Sequence, residues 1–199
     1  MFKTIKPLVL ASGSPRRKHL LLSLGIEFLV APSTIDESAE SCRAGKSPAQ
    51  TAEAWACLKA GSISAVHPDS WILGADTIVV LDGRIFGKPS ERPEAVEMLQ
   101  ALSGRAHEVI TGMCLLRPGG KVCGSCSVAT RVYFKDLSIG EIEAYVRTGE
   151  PMDKAGAYGI QGIGAFLARS VEGSCTNVVG LPLCEALEWL IAENIIEPA

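Results

Sequence analysis

A chain of 199 residues that is 47% hydrophobic and 21% charged carries enough apolar material for a packed core and is excluded from the disordered class. Its formal net charge of −3 argues against a nucleic-acid binder, so an anionic ligand must be met by local positive groups, helped by a metal. No apolar run is as long as a membrane span and residues 1–7 are too short and interrupted for a signal peptide, which sets an expectation of a cytoplasmic protein with no membrane partner.

The stretch Leu8-Val9-Leu10-Ala11-Ser12-Gly13-Ser14-Pro15-Arg16-Arg17 reads as a short strand, a small-residue turn and the start of a helix. Ser14 suits the N-cap and Pro15 the first helical position, and Gly25 can close the helix. Arg16 and Arg17 stand at the helix N-terminus, where the macrodipole disfavours cations. A lone Arg pair fits a solvated basic turn, but Ser-x-Ser-Pro-Arg-Arg directly after a strand favours an oligophosphate cradle of backbone N–H groups, the Ser14 hydroxyl and two guanidiniums.

A second strand follows over 27–32, then an acidic loop containing Ile35-Asp36-Glu37. Ser47 and Gln50 form a capping box for a helix over 48–60 that Gly61 ends, with Lys59 in the last turn, where a lysine ordinarily only complements the dipole. The segment 71–81 is nearly all apolar, as in a strand buried on both faces, except for Asp76, a carboxylate that burial makes costly unless it is paired, hydrogen-bonded or on a metal. Asp82-Gly83 makes a tight turn, and the returning Arg84-Ile85-Phe86-Gly87-Lys88-Pro89 brings Lys88 back along that strand. Then come a helix over 93–102, a hairpin of two long strands over 107–116 and 121–134, and a capping box at Ser138 and Glu141. Residues 150–169 read as a long glycine-rich loop of the kind that is usually functional, 171–175 as a last strand or turn, and Leu181-Pro182 as the start of the final helix. With no repeat or linker, residues 1–199 read as a single α/β domain whose sheet has mixed direction and two lobes.

Seven cysteines, an odd number, imply free thiols. Cys123-Gly124-Ser125-Cys126 raises zinc or redox chemistry, but there is no second CxxC and the flanks are those of a strand, so a structural or incidental role is expected. The chain has neither a P-loop nor a Gly-x-Ser-x-Gly elbow. It does supply Ser14, Arg16, Arg17, Lys59 and Lys88 as candidate phosphate ligands. Glu37 and Asp76 are candidate ligands for Mg²⁺ or Mn²⁺, hard cations that take oxygen.

The run from Ala11 to Arg17 followed by Leu20-Leu21 resembles the signature of the Maf family of nucleoside triphosphate pyrophosphatases, also called septum-formation inhibitors. The resemblance continues through Ile35-Asp36-Glu37, Lys59-Ala60, Gly74-Ala75-Asp76-Thr77, Gly87-Lys88-Pro89, Asp153-Lys154-Ala155-Gly156 and Asn177-Val178-Val179-Gly180-Leu181-Pro182. It implies the fold shared with inosine triphosphate pyrophosphatases, an elongated mixed sheet flanked by helices in two lobes around a deep cleft. It also implies metal-dependent hydrolysis of a nucleoside triphosphate to the monophosphate and pyrophosphate, a nucleotide-pool house-cleaning reaction, and it is compatible with a homodimer. Asp76 matches the family's proposed proton acceptor, and Arg16, Thr77 and Gln161 match positions linked to substrate choice. The run Ala157-Tyr158-Gly159-Ile160-Gln161-Gly162 looks like the branch that acts on dTTP and UTP, the sister branch typically carrying Glu at the position of Gln161. The competing reading is a nucleotide-binding regulator of septum formation in which hydrolysis is secondary; retention of both Glu37 and Asp76 favours the enzyme.

Overall fold

The computed structural model describes residues 1–33, 35 and 45–199. The expected mixed α/β architecture is present. A seven-stranded sheet has β3 (Leu29–Val30), β2 (Leu8–Leu10), β4 (Trp71–Leu81), β6 (Ala106–Leu116), β7 (Val122–Phe134) and β8 (Ala168–Glu172) in that spatial order, and β5 (Arg84–Phe86) pairs with β4. β2 runs parallel to both neighbours, with Val9 opposite Leu29 and Ile72. Parallel neighbours need crossover connections; α1 (Pro15–Leu22) supplies the one from β2 to β3, and α2 (Pro48–Ser62) precedes β4. The β4–β5 and β7–β8 pairs are antiparallel. Asp82 and Gly83 turn β4 into β5 with φ of 50° and 77°, the left-handed pair that a two-residue hairpin needs.

The chain divides into two compact units. The first holds Met1–Asp76, Thr111–Val128 and Gly180–Ala199; the second holds Thr77–Ile110 and Ala129–Val179. In the first unit the period-2 alternation of the strands sorts side chains into two apolar layers. Leu8, Leu10, Trp71, Leu73, Met113 and Leu115 face α1 and α6 (Leu183–Ala192), meeting Leu21, Ala186 and Leu190. Val9, Ile72, Cys114 and Leu116 face α2 and meet Ala56, Ala60 and Ile63. That second contact is unusually close: a Cβ added to Gly74 would lie 2.3 Å from the Ala56 carbonyl oxygen, and one added to Gly112 would lie 2.2 Å from the Ala52 carbonyl carbon. The run Ala52, Ala56, Ala60, at a spacing of one helical turn, is the helix's matching small stripe, and all three are fully buried. In the second unit α3 (Arg92–Leu102) and α4 (Ile139–Arg147) cover Val79, Leu81, Val109, Val132 and Phe134.

Both capping boxes form as expected, Ser47 with Gln50 and Ser138 with Glu141. Other expectations need correction. Gly61 does not end α2, which runs on to Ser62; Gly61 faces open space and is tolerated inside the helix. The strand expected over 27–32 contracts to Leu29–Val30. Ser14 occupies the N-cap of α1, but its side chain makes no capping bond, and the helix stops at Leu22, short of Gly25. The stretch read as a loop over 150–169 contains three 3₁₀ turns, Glu150–Asp153, Ala155–Ala157 and Gly162–Phe166. β8 begins at Ala168, where 171–175 was expected, and Cys175–Val179 is a short helix, α5. The final helix starts at Leu183 with Pro182 as its N-cap. β1 (Phe2–Thr4) and β9 (Ile196–Pro198) form a separate antiparallel pair, three residues each and too short for any periodicity to announce. No helix among the described residues is long and apolar enough to cross a membrane.

Candidate active site

The turn between β2 and α1 is braced from inside. Arg17 is 8% exposed; its Nε donates to the Gly180 carbonyl at 2.6 Å and its Nη1 to Ser12 Oγ at 2.8 Å. Ser12 Oγ also accepts from the Ser14 backbone N–H at 3.3 Å. The two arginines that the sequence offers as equals are thus divided: Arg16 is partly exposed, and Arg17 is buried and ties this turn to the Gly180 turn.

Asp76 lies in β4 two residues beyond Gly74, on the face that carries α2. Because α2 rests almost backbone to backbone on that face at Ala56 and Gly74, Lys59, three residues further along the helix, meets Asp76. Its Nζ lies 2.6 Å from Asp76 Oδ1, and the two residues are 7% and 8% exposed. Lys59, a candidate phosphate ligand by its sequence and at a helix position where a lysine ordinarily lies at the surface, is here a buried ion-pair partner of Asp76. Partnership of this kind is what a carboxylate inside a sheet requires.

Thr77, Lys88 and Gln161 belong to the second unit. Thr77 follows Asp76 in β4 and is partly exposed, Lys88 is exposed beyond β5, and Gln161 is exposed at the head of the third 3₁₀ turn. Glu37 lies outside the described residues. Among those residues no cluster of three or more His, Cys, Asp or Glu side chains forms a metal cage. The chemistry of Asp76 itself nevertheless fits a hard divalent ion, which commonly takes one or two carboxylates and completes its shell with water and substrate phosphates.

The segment bearing Gln161 is tied down by residues the sequence did not single out. The Glu150 carboxylate accepts the Ile163 N–H at 3.0 Å, the Gly164 N–H at 2.9 Å and the Tyr145 hydroxyl at 3.0 Å. Burial works to raise the Glu150 carboxyl, but the amides of Gly164 and Ile163 and the Tyr145 hydroxyl outweigh it and hold it below its ordinary value. On the other half of the segment, Tyr158 Oη lies 2.7 Å from His107 Nε2, within an edge-to-face trio with Phe134. Burial depresses His107 to about 4, so its imidazole is neutral at neutral pH. Asn177, fully buried, donates through Nδ2 to the Val109 carbonyl at 3.0 Å and to Thr130 Oγ1 at 2.9 Å.

Among the described residues the CxxC joins no cluster of metal-ligating side chains. Cys123 donates to Glu193 Oε1 at 3.2 Å, and both of its cysteines are free and packed on the apolar layer beneath α6.

The chain is 46% identical over 200 residues to a dTTP/UTP pyrophosphatase of Desulfotalea psychrophila, covering 98% of this chain and 99% of that one. It is 51% identical over 185 residues to a dTTP/UTP pyrophosphatase of Geobacter metallireducens, covering 92% and 94%. A solved nucleoside-triphosphatase / dITP/XTP pyrophosphatase from Mycobacterium abscessus aligns over 95% of this chain and 94% of its own at 14% identity and a TM-score of 0.44, a likeness too slight to carry an argument. The model of the Maf-like protein family matches residues 7–193, through every motif described above, and this chain therefore belongs to the Maf-like protein family.

Proposed function

We propose that the protein hydrolyses nucleoside triphosphates, preferring dTTP and UTP, to the nucleoside monophosphate and pyrophosphate. The match running through both units supports reading 1–199 as one functional domain. The observation that carries the reading is the buried ion pair between Lys59 of α2 and Asp76 of β4, a charged couple that a helix–sheet contact does not need for its own sake. Asp76 takes the proton of the attacking water, a carboxylate having acceptor capacity on both oxygens, and Lys59 fixes its orientation through Oδ1. Asp76 and Glu37 would hold a divalent cation, Mg²⁺ or Mn²⁺, whose contribution when bound is to shield the triphosphate charge. Ser14, Arg16 and Lys88 contact the phosphates, and Arg17 supports the turn from which Ser14 and Arg16 act. Thr77 and Gln161 contribute to substrate choice. Pyrophosphate release measured over a panel of nucleotides tests the whole reading: tight nucleotide binding without turnover would replace it with that of a nucleotide-binding regulator.

Arg16→Ala is expected to leave the fold intact, because Arg16 is partly exposed and the variant keeps the buried Arg17 with its bonds to Gly180 and Ser12, and to lower kcat/KM by at least ~10-fold, about 1.4 kcal/mol. Steady-state kinetics on the folded variant decide it; unchanged kcat/KM removes Arg16 from the phosphate site.

Base choice rests on Gln161. Its amide offers an acceptor and two donors, a match for the N3–H and O4 edge of uracil or thymine. A bound purine would cover the Gln161 amide and leave it unpaired, at a cost of about 1–3 kcal/mol. The expected order is dTTP and UTP first, CTP weaker but measurable, ATP and GTP poor. Gln161→Glu turns both polar atoms into acceptors, so kcat/KM should fall more for dTTP and UTP than for CTP, whose exocyclic amine is a donor. An equal fall on all nucleotides would assign the residue to loop structure.

A further inference from the structure

We propose that Glu150 is the positioning residue for base selection, acting through the segment that carries Gln161; the inference rests on the reading of Gln161 above. A side chain that discriminates between bases must be held within a fraction of an ångström of its productive geometry. The tip around Gln161 has no core of its own: Gln161, Gly162 and Ile163 are all exposed. Its first half is anchored elsewhere, by the Gly156 N–H on the Gly87 carbonyl at 3.0 Å and by Tyr158 on His107. The half that includes Gln161 is held by Glu150, whose carboxylate reaches across the turn to the N–H groups of Ile163 and Gly164.

The site is built around this carboxylate. Tyr145 Oη, rooted in α4 in a residue only 2% exposed, supplies a third donor. A Cβ on Gly164 would stand 2.4 Å from that hydroxyl and 2.5 Å from the Gly159 carbonyl oxygen, so the backbone closes directly over it. Gly162, next to Gln161, adopts φ of +71°, and a Cβ there would meet Glu150 Oε2 at 2.9 Å. Three donors on two oxygens suit an anionic acceptor and no neutral one. In Glu150→Gln an amide NH₂ replaces one oxygen and meets a backbone N–H donor to donor.

The test compares the unchanged full chain with three variants, Glu150→Gln, Tyr145→Phe and Gln161→Ala. Glu150→Gln is expected to reduce the ratio of kcat/KM for dTTP over GTP by about 10-fold, the equivalent of one lost hydrogen bond to a charged group. The fall should come from KM for dTTP, with kcat within about 3-fold of the parent, as for a lost binding contact. Native-state hydrogen exchange at the Ile163 and Gly164 amides should accelerate together with it. If exchange accelerates while the ratio stays unchanged, and Gln161→Ala lowers the ratio, the positioning role is overturned and the base reading stands. If Gln161→Ala also leaves the ratio unchanged, the base reading fails and this inference falls with it. Should Glu150→Gln not fold, Tyr145→Phe removes one donor to the carboxylate at nearly constant volume. Its expected effect is a ratio lowered about 3-fold, for a single ordinary hydrogen bond, and an unchanged ratio is again decisive against the proposal.

Discussion

Asp76→Asn is expected to lower pyrophosphate release by roughly 10²-fold or more, the lower range for loss of a general base, while nucleotide binding persists. The substitution preserves shape and removes charge, so it isolates the chemical role of the carboxylate. The ion pair adds a consequence for stability. Lys59 is 7% exposed, and Asp76→Asn leaves its ammonium facing a neutral amide. Removing one member of a buried pair costs about 3–5 kcal/mol when the other stays charged. Urea unfolding should therefore show a large loss in Asp76→Asn that is mostly recovered in Asp76→Asn/Lys59→Met, whose stem fills the same space without the charge. Activity should not recover in the double variant. If it does, or if Asp76→Asn alone turns over normally once corrected for folded fraction, Asp76 is structural. Hydrolysis in H₂¹⁸O adds an internal check: label belongs in the monophosphate, and label only in pyrophosphate would place attack at the β-phosphorus.

Gly112→Ala should destabilise the first unit by about 3 kcal/mol or more, at or beyond the upper end of ordinary overpacking. The new methyl would stand 2.2 Å, 2.3 Å and 2.4 Å from Ala52 C, Ala52 O and Glu53 N. All three are backbone atoms of α2, which cannot step aside without lifting the helix that brings Lys59 to Asp76. Gly61→Ala in the same helix is the contrast. It faces open space within a helical stretch, so it should be neutral or stabilising by up to ~1 kcal/mol, the ordinary gain of Ala over Gly. Chemical denaturation of both variants checks the pair. A Gly112→Ala protein as stable as its parent would show that α2 can ride further from the sheet, and the argument from close approach would fail.

Some of this molecule is legible from the sequence because the deciding interactions span four residues or fewer. The capping boxes at Ser47 and Ser138 bond within their own first turns. The Asp82-Gly83 hairpin is chosen by the conformations those two residues tolerate. The strand around Asp76 is written in an almost unbroken apolar run, and the family motifs lie in order along the chain. The alanine stripe of α2 at 52, 56 and 60 and the glycines at 74 and 112 were also in the sequence, but each is informative only once the other is known to face it. The tertiary structure alone decided the partners. Lys59 meets Asp76 across 17 residues, Arg17 holds the Gly180 carbonyl across 163, and Glu150 grips the Gly164 amide across 14. Arg16 and Arg17 look alike as neighbours and diverge because adjacent helical positions point about 100° apart, which leaves one partly exposed and buries the other. Local propensity fixes which way a backbone turns; which charge finds which partner is settled by the packing of layers that are distant in the chain.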